Sequence, residues 1–355
     1  MTTCLRVLNG GIMATIQDRG RIGYQRYGVP VSGALDPVSF RLANAAAGNR
    51  QSAAAIEMIA AGAIFEVEGP SVRVALGGLG ATLEVTDDGT TRSFPALRSV
   101  TARHGATIAV LRPPLVSCCY LAVEGEFDLA PVMGSQSTYL RGHFGGFHGR
   151  ALRPGDRLPL VRRSAKERRE FGLMAPPDPG HPDLGHPDLG HDEPIRVVLG
   201  PQADAMTQAA LEVFLSQPFA VGRETDRMGM RLDGPRLSHR DGFNIPSDGV
   251  TTGSIQVPGD GRPIVLLVDR QTTGGYPKIA TVASADIARI ARRRPGDPVR
   301  FRAISVQEAE AARRDLERRI EDIAARREPI REDGAVDLAA LYEENIVSGV
   351  HRDID

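Results

Sequence analysis

Short apolar runs, each closed within a few residues by glycine, proline or asparagine, recur through most of this chain and limit its fold more than any other feature. Residues 63–67 (AIFEV) run into Glu68-Gly69-Pro70. Residues 72–76 (VRVAL), 108–111 (IAVL), 120–123 (YLAV) and 157–161 (RLPLV) behave in the same way. Such runs are too short for buried helices and rich in β-branched residues, and turn signals spaced about 8–12 residues apart point to a barrel or sandwich. The 39 glycines and 25 prolines are spread between the runs, as such a fold needs. The expected class is mainly β with a few helices.

The chain then restarts. Residues 195–200 (IRVVLG) echo residues 5–10 (LRVLNG), and residues 294–297 (RPGD) repeat residues 153–156 (RPGD). Asp226-Arg227 with Gly229 loosely repeats Asp18-Arg19 with Gly23. A kept order with altered spacing indicates two halves from a diverged duplication. The expected boundaries are a first β-rich half at 1–172, a linker at 173–194, a second half at 195–303, and a C-terminal helix and tail at 304–355. The linker holds a tandem repeat at 180–191 (GHPDLGHPDLGH), which has no apolar face to pack.

Helix signals are few. Asp36 caps a helix with Pro37 at its first position and Gly48 at its end, and Val38, Leu42, Ala45 and Ala46 form its stripe. Further helices are expected near 204–215 and from Ser284. The strongest runs from Ser305 to about residue 327, with Ser305 and Glu308 as a capping box and Ala309, Ala312, Leu316, Ile320 and Ile323 as a narrow stripe. A short helix is expected around 338–344.

Residues 269–281 (DRQTTGGYPKIAT) are the leading candidate for chemistry. They follow an apolar strand at 263–268 (PIVLLV) and hold adjacent glycines, Gly274 and Gly275. Glycines there would allow positive φ and close approach of a ligand to backbone amides. Only Lys166 and Lys278 are lysines, and the rest of the 43 basic residues are arginine. A lysine within this turn supplies a compact cation with three donors. Lys278 is therefore the first candidate catalytic residue and Arg227 the second, with Gln271, Thr273, Gly274, Gly275 and Tyr276 as substrate-binding groups. Ser32 and Asp36 join them, because they precede a helix N-terminus whose free amides favour an anion.

A net charge of −1 gives no reason to expect nucleic acid or an anionic membrane as partner. No apolar span reaches membrane length, and no signal-peptide pattern opens the chain, so a cytoplasmic location is expected. Cys4, Cys118 and Cys119 read as buried thiols. His143 and His148 lack a third ligand, and no metal is expected. There is no Walker A motif, dinucleotide fingerprint or nucleophile elbow.

Residues 28–36 (GVPVSGALD), 226–229 (DRMG), 253–258 (GSIQVP) and above all 271–280 (QTTGGYPKIA) resemble the biotin-dependent carboxyltransferase family. That family includes the C-type subunit of bacterial 5-oxoprolinase, KipA and the C-terminal half of the urea carboxylase carboxyltransferase domain. The resemblance implies two cyclophilin-like β-barrel subdomains. It also implies two partners, a KipI-like protein of the 5-oxoprolinase B type and a second protein of the A type. The implied activity is that of an ATP-dependent hydrolase complex converting 5-oxo-L-proline to glutamate, with this chain active only in the complex. One alternative is a biotin-dependent carboxyltransferase subunit of the urea carboxylase or allophanate type. Another is a non-catalytic, KipA-like regulator that binds a KipI-type kinase inhibitor. Neither lysine sits in a biotinyl context, so this chain is expected to bind no cofactor itself, with ATP or biotin supplied by partner subunits.

Overall fold

The computed structural model describes residues 3–111, 117–174 and 193–330. Within them the chain is mainly β with four α-helices. The repeat at 180–191 and the helix expected at 338–344 lie outside the described residues.

The first half is built from two antiparallel sheets. One has six strands in the order Arg157–Pro159, Cys4–Asn9, Ile64–Glu68, Thr107–Leu111, Thr82–Asp87 and Thr90–Pro95. The other has five, in the order Met13–Gln17, Ala55–Ile59, Cys118–Val123, Ser71–Gly77 and Ser99–Arg103. Leu5, Phe65, Val67 and Leu83 from one sheet and Ile56, Val74, Leu76 and Leu121 from the other share one apolar core. Alternation sets the faces: Ile64–Glu68 is buried at every second residue. Cys118–Val123 is buried throughout, because a helix covers its second face.

That helix is α1, Pro37–Ala47, and it begins and ends where its sequence signals lie. Asp36 accepts from the N–H groups of Val38 (3.0 Å) and Ser39 (3.1 Å), and Gly48 closes it at φ 87°. Its burial is wider than a single stripe, since Phe40, Ala43 and Ala47 are also inside. Gly77 allows the helix this close to the sheet: a Cβ there would stand 2.2 Å from the Ser39 carbonyl oxygen.

The second half is built on one eight-stranded sheet. Its order is Pro298–Val299, Phe219–Thr225, Gly229–Asp233, Ile264–Leu266, Ser254–Gln256, Lys278–Val282, Ile195–Leu199 and Phe301–Ala303. The first and last strands in that order are separated along the chain by Arg300 alone, so the sheet has curled into a nearly closed barrel. The two RPGD turns share one geometry. In both RPGD segments the first N–H donates to the aspartate carboxylate at 2.8 Å. Both glycines are left-handed, at φ 90° and 93°. Each turn clamps one strand residue through two backbone bonds, Val7 in the first half and Val221 in the second.

Helix α2, Gln208–Ser216, starts later than the expected residue 204, because Ala203–Ala205 first makes a 3₁₀ turn and Thr207 is the true cap. Helix α3, Ile287–Ala291, follows the 3₁₀ turn Ser284–Asp286. Helix α4, Val306–Ala325, carries the expected capping box, and Leu316, Ile320 and Ile323 pack into the protein's own core. Arg41 of α1 pairs with Glu317 of α4 at 2.6 Å.

Through these helices the halves share apolar surface. Leu35, Phe40, Leu42 and Tyr120 belong to the same cluster as Ile255, Val265 and Leu267. Strand Phe171–Leu173 also pairs with Arg327–Pro329, so the end of the first half is held by the segment after α4. All three cysteines are buried free thiols.

Candidate active site

The strand Ile264–Leu266 delivers the chain to Asp269, which is buried. The Asp269 carboxylate accepts from Arg227 Nε at 2.8 Å. Arg227 Nη1 donates to Glu57 of the first half, and Nη2 donates to the Gly33 carbonyl at 2.7 Å. Glu57 in turn accepts from the Tyr120 hydroxyl (2.6 Å) and from Leu35 N–H (2.8 Å), while Tyr120 accepts from Asp36 N–H (2.8 Å). Asp36 completes the chain by pairing with Arg292 at 2.6 Å. One buried network thus ties loop 28–36 and strand Ala55–Ile59 of the first half to the second half.

Two sequence expectations change here. Arg227, expected as a catalytic cation, is only 4% exposed, and its guanidinium is occupied by Glu57, Asp269 and Gly33. Burial would depress its pKa, but the charges of Glu57 and Asp269 outweigh that and raise it. Asp36, expected to help bind an anion, already caps α1 and holds Arg292, leaving no acceptor facing a cleft. Ser32 stands at φ 55° and is buried, with its N–H bonded to the Val268 carbonyl at 3.0 Å. Its hydroxyl finds no partner among the described residues, and it lines neither cleft described below.

The Asp36 pairing carries a pH signature. Burial pushes the carboxyl up, yet Arg292, helped by the Ser39 hydroxyl and N–H, brings it below the usual aspartate value. An unfolded aspartate titrates near about 3.9, so this pair's contribution is fully present above that pH. It is lost as pH falls through the lower folded value. Asp36→Asn is therefore expected to flatten the acid limb of a stability profile below about pH 4, measured by urea unfolding. An unchanged slope would show that Asp36 adds no proton linkage.

Residues 271–278 form a ribbon rather than a free turn. Thr273–Gly274 pairs with Asp248–Gly249, Asp248 opposite Gly274 and Gly249 opposite Thr273. Neither Gly274 nor Gly275 has a positive φ, contrary to the sequence reading. Gly274 instead lies close against Gln256: a Cβ there would stand 2.4 Å from Gln256 Nε2, and that side chain would have to shift. Lys278 begins a strand, its side chain is 5% exposed, and its ammonium donates to Asp248 at 2.8 Å. The Lys278 hydrogen bond, then the Gly249 N–H, holds the Asp248 carboxyl below the usual range.

The ribbon separates two clefts. Thr273 and Lys278 line one of about 580 Å³, with Asp248 and Thr272 and, from the first half, Gln25 and Arg26. Gln271 and Tyr276 line the other, of about 470 Å³, with Gln256, Asp226, Met228 and, from the first half, Arg141. The expected site residues are therefore divided between two faces. Gln256 belongs to the second face, its Oε1 3.4 Å from Gln271 Nε2 and its Nε2 3.4 Å from the Tyr276 carbonyl. Sequence reasoning missed Asp248, Gln256, Gln25 and Arg26. Gln256 stood within the quoted motif at 253–258, which was the one available signal.

Barrel, helix-bridged halves and paired clefts define a class, and residues 27–303 match the family described as carboxyltransferase domain, subdomain A and B. The chain belongs to this family. It is 35% identical over 325 residues to the C-type subunit of 5-oxoprolinase from Escherichia coli (strain K12), a match covering 91% of this chain and 98% of that one. Urea amidolyase of Lachancea kluyveri is 30% identical over 333 residues, which cover 89% of this chain but 18% of that longer protein. The crystal structure of the Kluyveromyces lactis urea carboxylase is similar at a TM-score of 0.80 and 26% identity, covering 93% of this chain and 30% of that one. Among the described residues no helix is long and apolar enough to cross a membrane.

Proposed function

We propose that this chain is the C-type component of a 5-oxoprolinase complex, active when joined by A-type and B-type (KipI-like) partners. The observation that carries this reading is the end-to-end likeness to the E. coli protein, 98% of which is covered. The reaction opens the lactam C–N bond of 5-oxo-L-proline by addition of water, giving the carboxylate and amine of glutamate. In that step negative charge develops on the amide oxygen, and a fixed cation with oriented hydroxyls stabilises it.

The Lys278 cleft offers such groups. Its ammonium is held in place by Asp248, and Thr272 and Thr273 line the same cleft. ATP is supplied by a partner chain. Gln271 and Tyr276 line the cleft across the ribbon, and the pairing of Gly274 with Asp248 sets the register beside Lys278; the Gly275 backbone follows it.

The likeness to urea amidolyase favours a second reading, carboxyl transfer from a biotin carried on another chain to an amide nitrogen. Co-expression with the partner subunits, followed by assay of 5-oxoproline-dependent ATP hydrolysis and glutamate formation, tests the first reading. Carboxyl transfer from biotin without 5-oxoproline turnover would replace it with the second. A stable complex with neither activity would leave the regulator.

A further inference from the structure

The Lys278 cleft has an excess of positive charge that the reading above does not use. Among the described residues its charged lining consists of Arg26, Lys278 and a single carboxylate, Asp248. Asp248 already holds Lys278, at 2.8 Å. Arg26 is exposed, on the 3₁₀ turn Gln25–Tyr27. Its guanidinium lies over the Tyr27 ring at 4.8 Å and makes no ion pair among the described residues.

A third cation stands behind the cleft wall. Arg270 is buried and donates to neutral oxygens: Thr252 Oγ1 at 2.7 Å, and the carbonyls of Val250 and Leu267, each at 3.4 Å. No carboxylate pairs with it among the described residues. Burial pushes its guanidinium down to about 10, so it stays charged at neutral pH. A buried cation without a counter-charge is unfavourable, and its field is weakly screened where water is excluded. Val250, one of its partners, and Thr251, next to another, line the cleft. Among the described residues, two cations lining the cleft and a third behind its wall, against one carboxylate, suit a ligand that brings its own negative charge.

We infer that this cleft takes its amide ligand as a carboxylate anion, with Arg26 binding the carboxylate while Lys278 faces the amide oxygen. The inference rests on the amide-substrate reading and makes Arg26 a specificity-determining residue contributed by the first half.

The test uses 5-oxo-L-proline and 2-pyrrolidinone, the same ring without the carboxylate. Binding of each to the full chain is measured by calorimetry or ligand-observed NMR, and turnover is measured on the assembled complex. The wild-type chain is expected to prefer the anion by at least about 10-fold, the size of one charge-assisted contact. Arg26→Gln should remove that preference and raise KM for 5-oxoproline about 10-fold with little change in kcat, and Arg26→Lys should restore part of it. Arg26 is exposed, so these variants should keep the wild-type melting temperature. Equal binding of both ring compounds, or an unaffected preference in Arg26→Gln, would overturn the inference even if the complex hydrolyses 5-oxoproline. A clear, Arg26-dependent preference in a complex that fails to turn over 5-oxoproline would support the anion site and remove the hydrolase reading instead.

Discussion

Lys278→Ala is expected to lower turnover of the assembled complex by about 10²–10³-fold, the usual consequence of removing one charge-stabilising donor from a preorganised site. The ammonium is the cation that lines the ribbon side of the cleft, and Asp248 fixes its position at 2.8 Å. The sequence reading placed Lys278 within a turn. Its aliphatic stem is instead buried at the start of strand Lys278–Val282. Truncation should therefore cost about 1–2 kcal/mol of stability through lost packing. No buried charge is orphaned, because Asp248 is 54% exposed and water can solvate it. Lys278→Arg should recover part of the activity if charge alone is used, and little if the cleft needs a compact ammonium. Turnover of Lys278→Ala at the wild-type rate would move the chemistry elsewhere.

Arg227→Ala is expected to destabilise the protein by about 3–5 kcal/mol, the cost of breaking a buried pair from one side. Two carboxylates would be left without their cation: Glu57, at 0% exposure, and Asp269, at 5%. The Gly33 carbonyl would lose its donor too. Because Glu57 lies in the first half and Asp269 in the second, the loss should fall on the docking of the halves, read as an earlier urea midpoint or a separate first transition. Adding Glu57→Gln to Arg227→Met should recover much of the loss, since a neutral amide tolerates burial better than a lone carboxylate. If Arg227→Ala melts like wild type yet is inactive, the catalytic role suggested by sequence would be right and the clasp reading wrong.

Both predictions turn on features that no local pattern announces. The Arg227–Glu57 contact spans 170 residues of chain. The Lys278–Asp248 pair depends on the register that sets Asp248 opposite Gly274. In a ribbon, moving by one residue sends a side chain to the other face. Alternation alone would put Gln271 and Thr273, two residues apart, on one face; they line different clefts, and Gln271 lies outside the paired strand Thr273–Gly274.

The sequence by itself determined whatever depends on neighbours along the chain. The Asp36 cap, Pro37 and Gly48 bound α1, and Ser305 with Glu308 opens α4, because capping bonds reach only two or three residues. The β class, the two RPGD turns and the family motifs were legible for the same reason. Tertiary structure alone decided which polar residues hold the halves together and which remain free to meet a ligand. Arg227, Asp36 and Arg26 look alike as charged residues beside glycines in a string of letters. Burial among carboxylates makes the first a clasp, a helix terminus and Arg292 occupy the second, and exposure at the mouth of the Lys278 cleft leaves the third available.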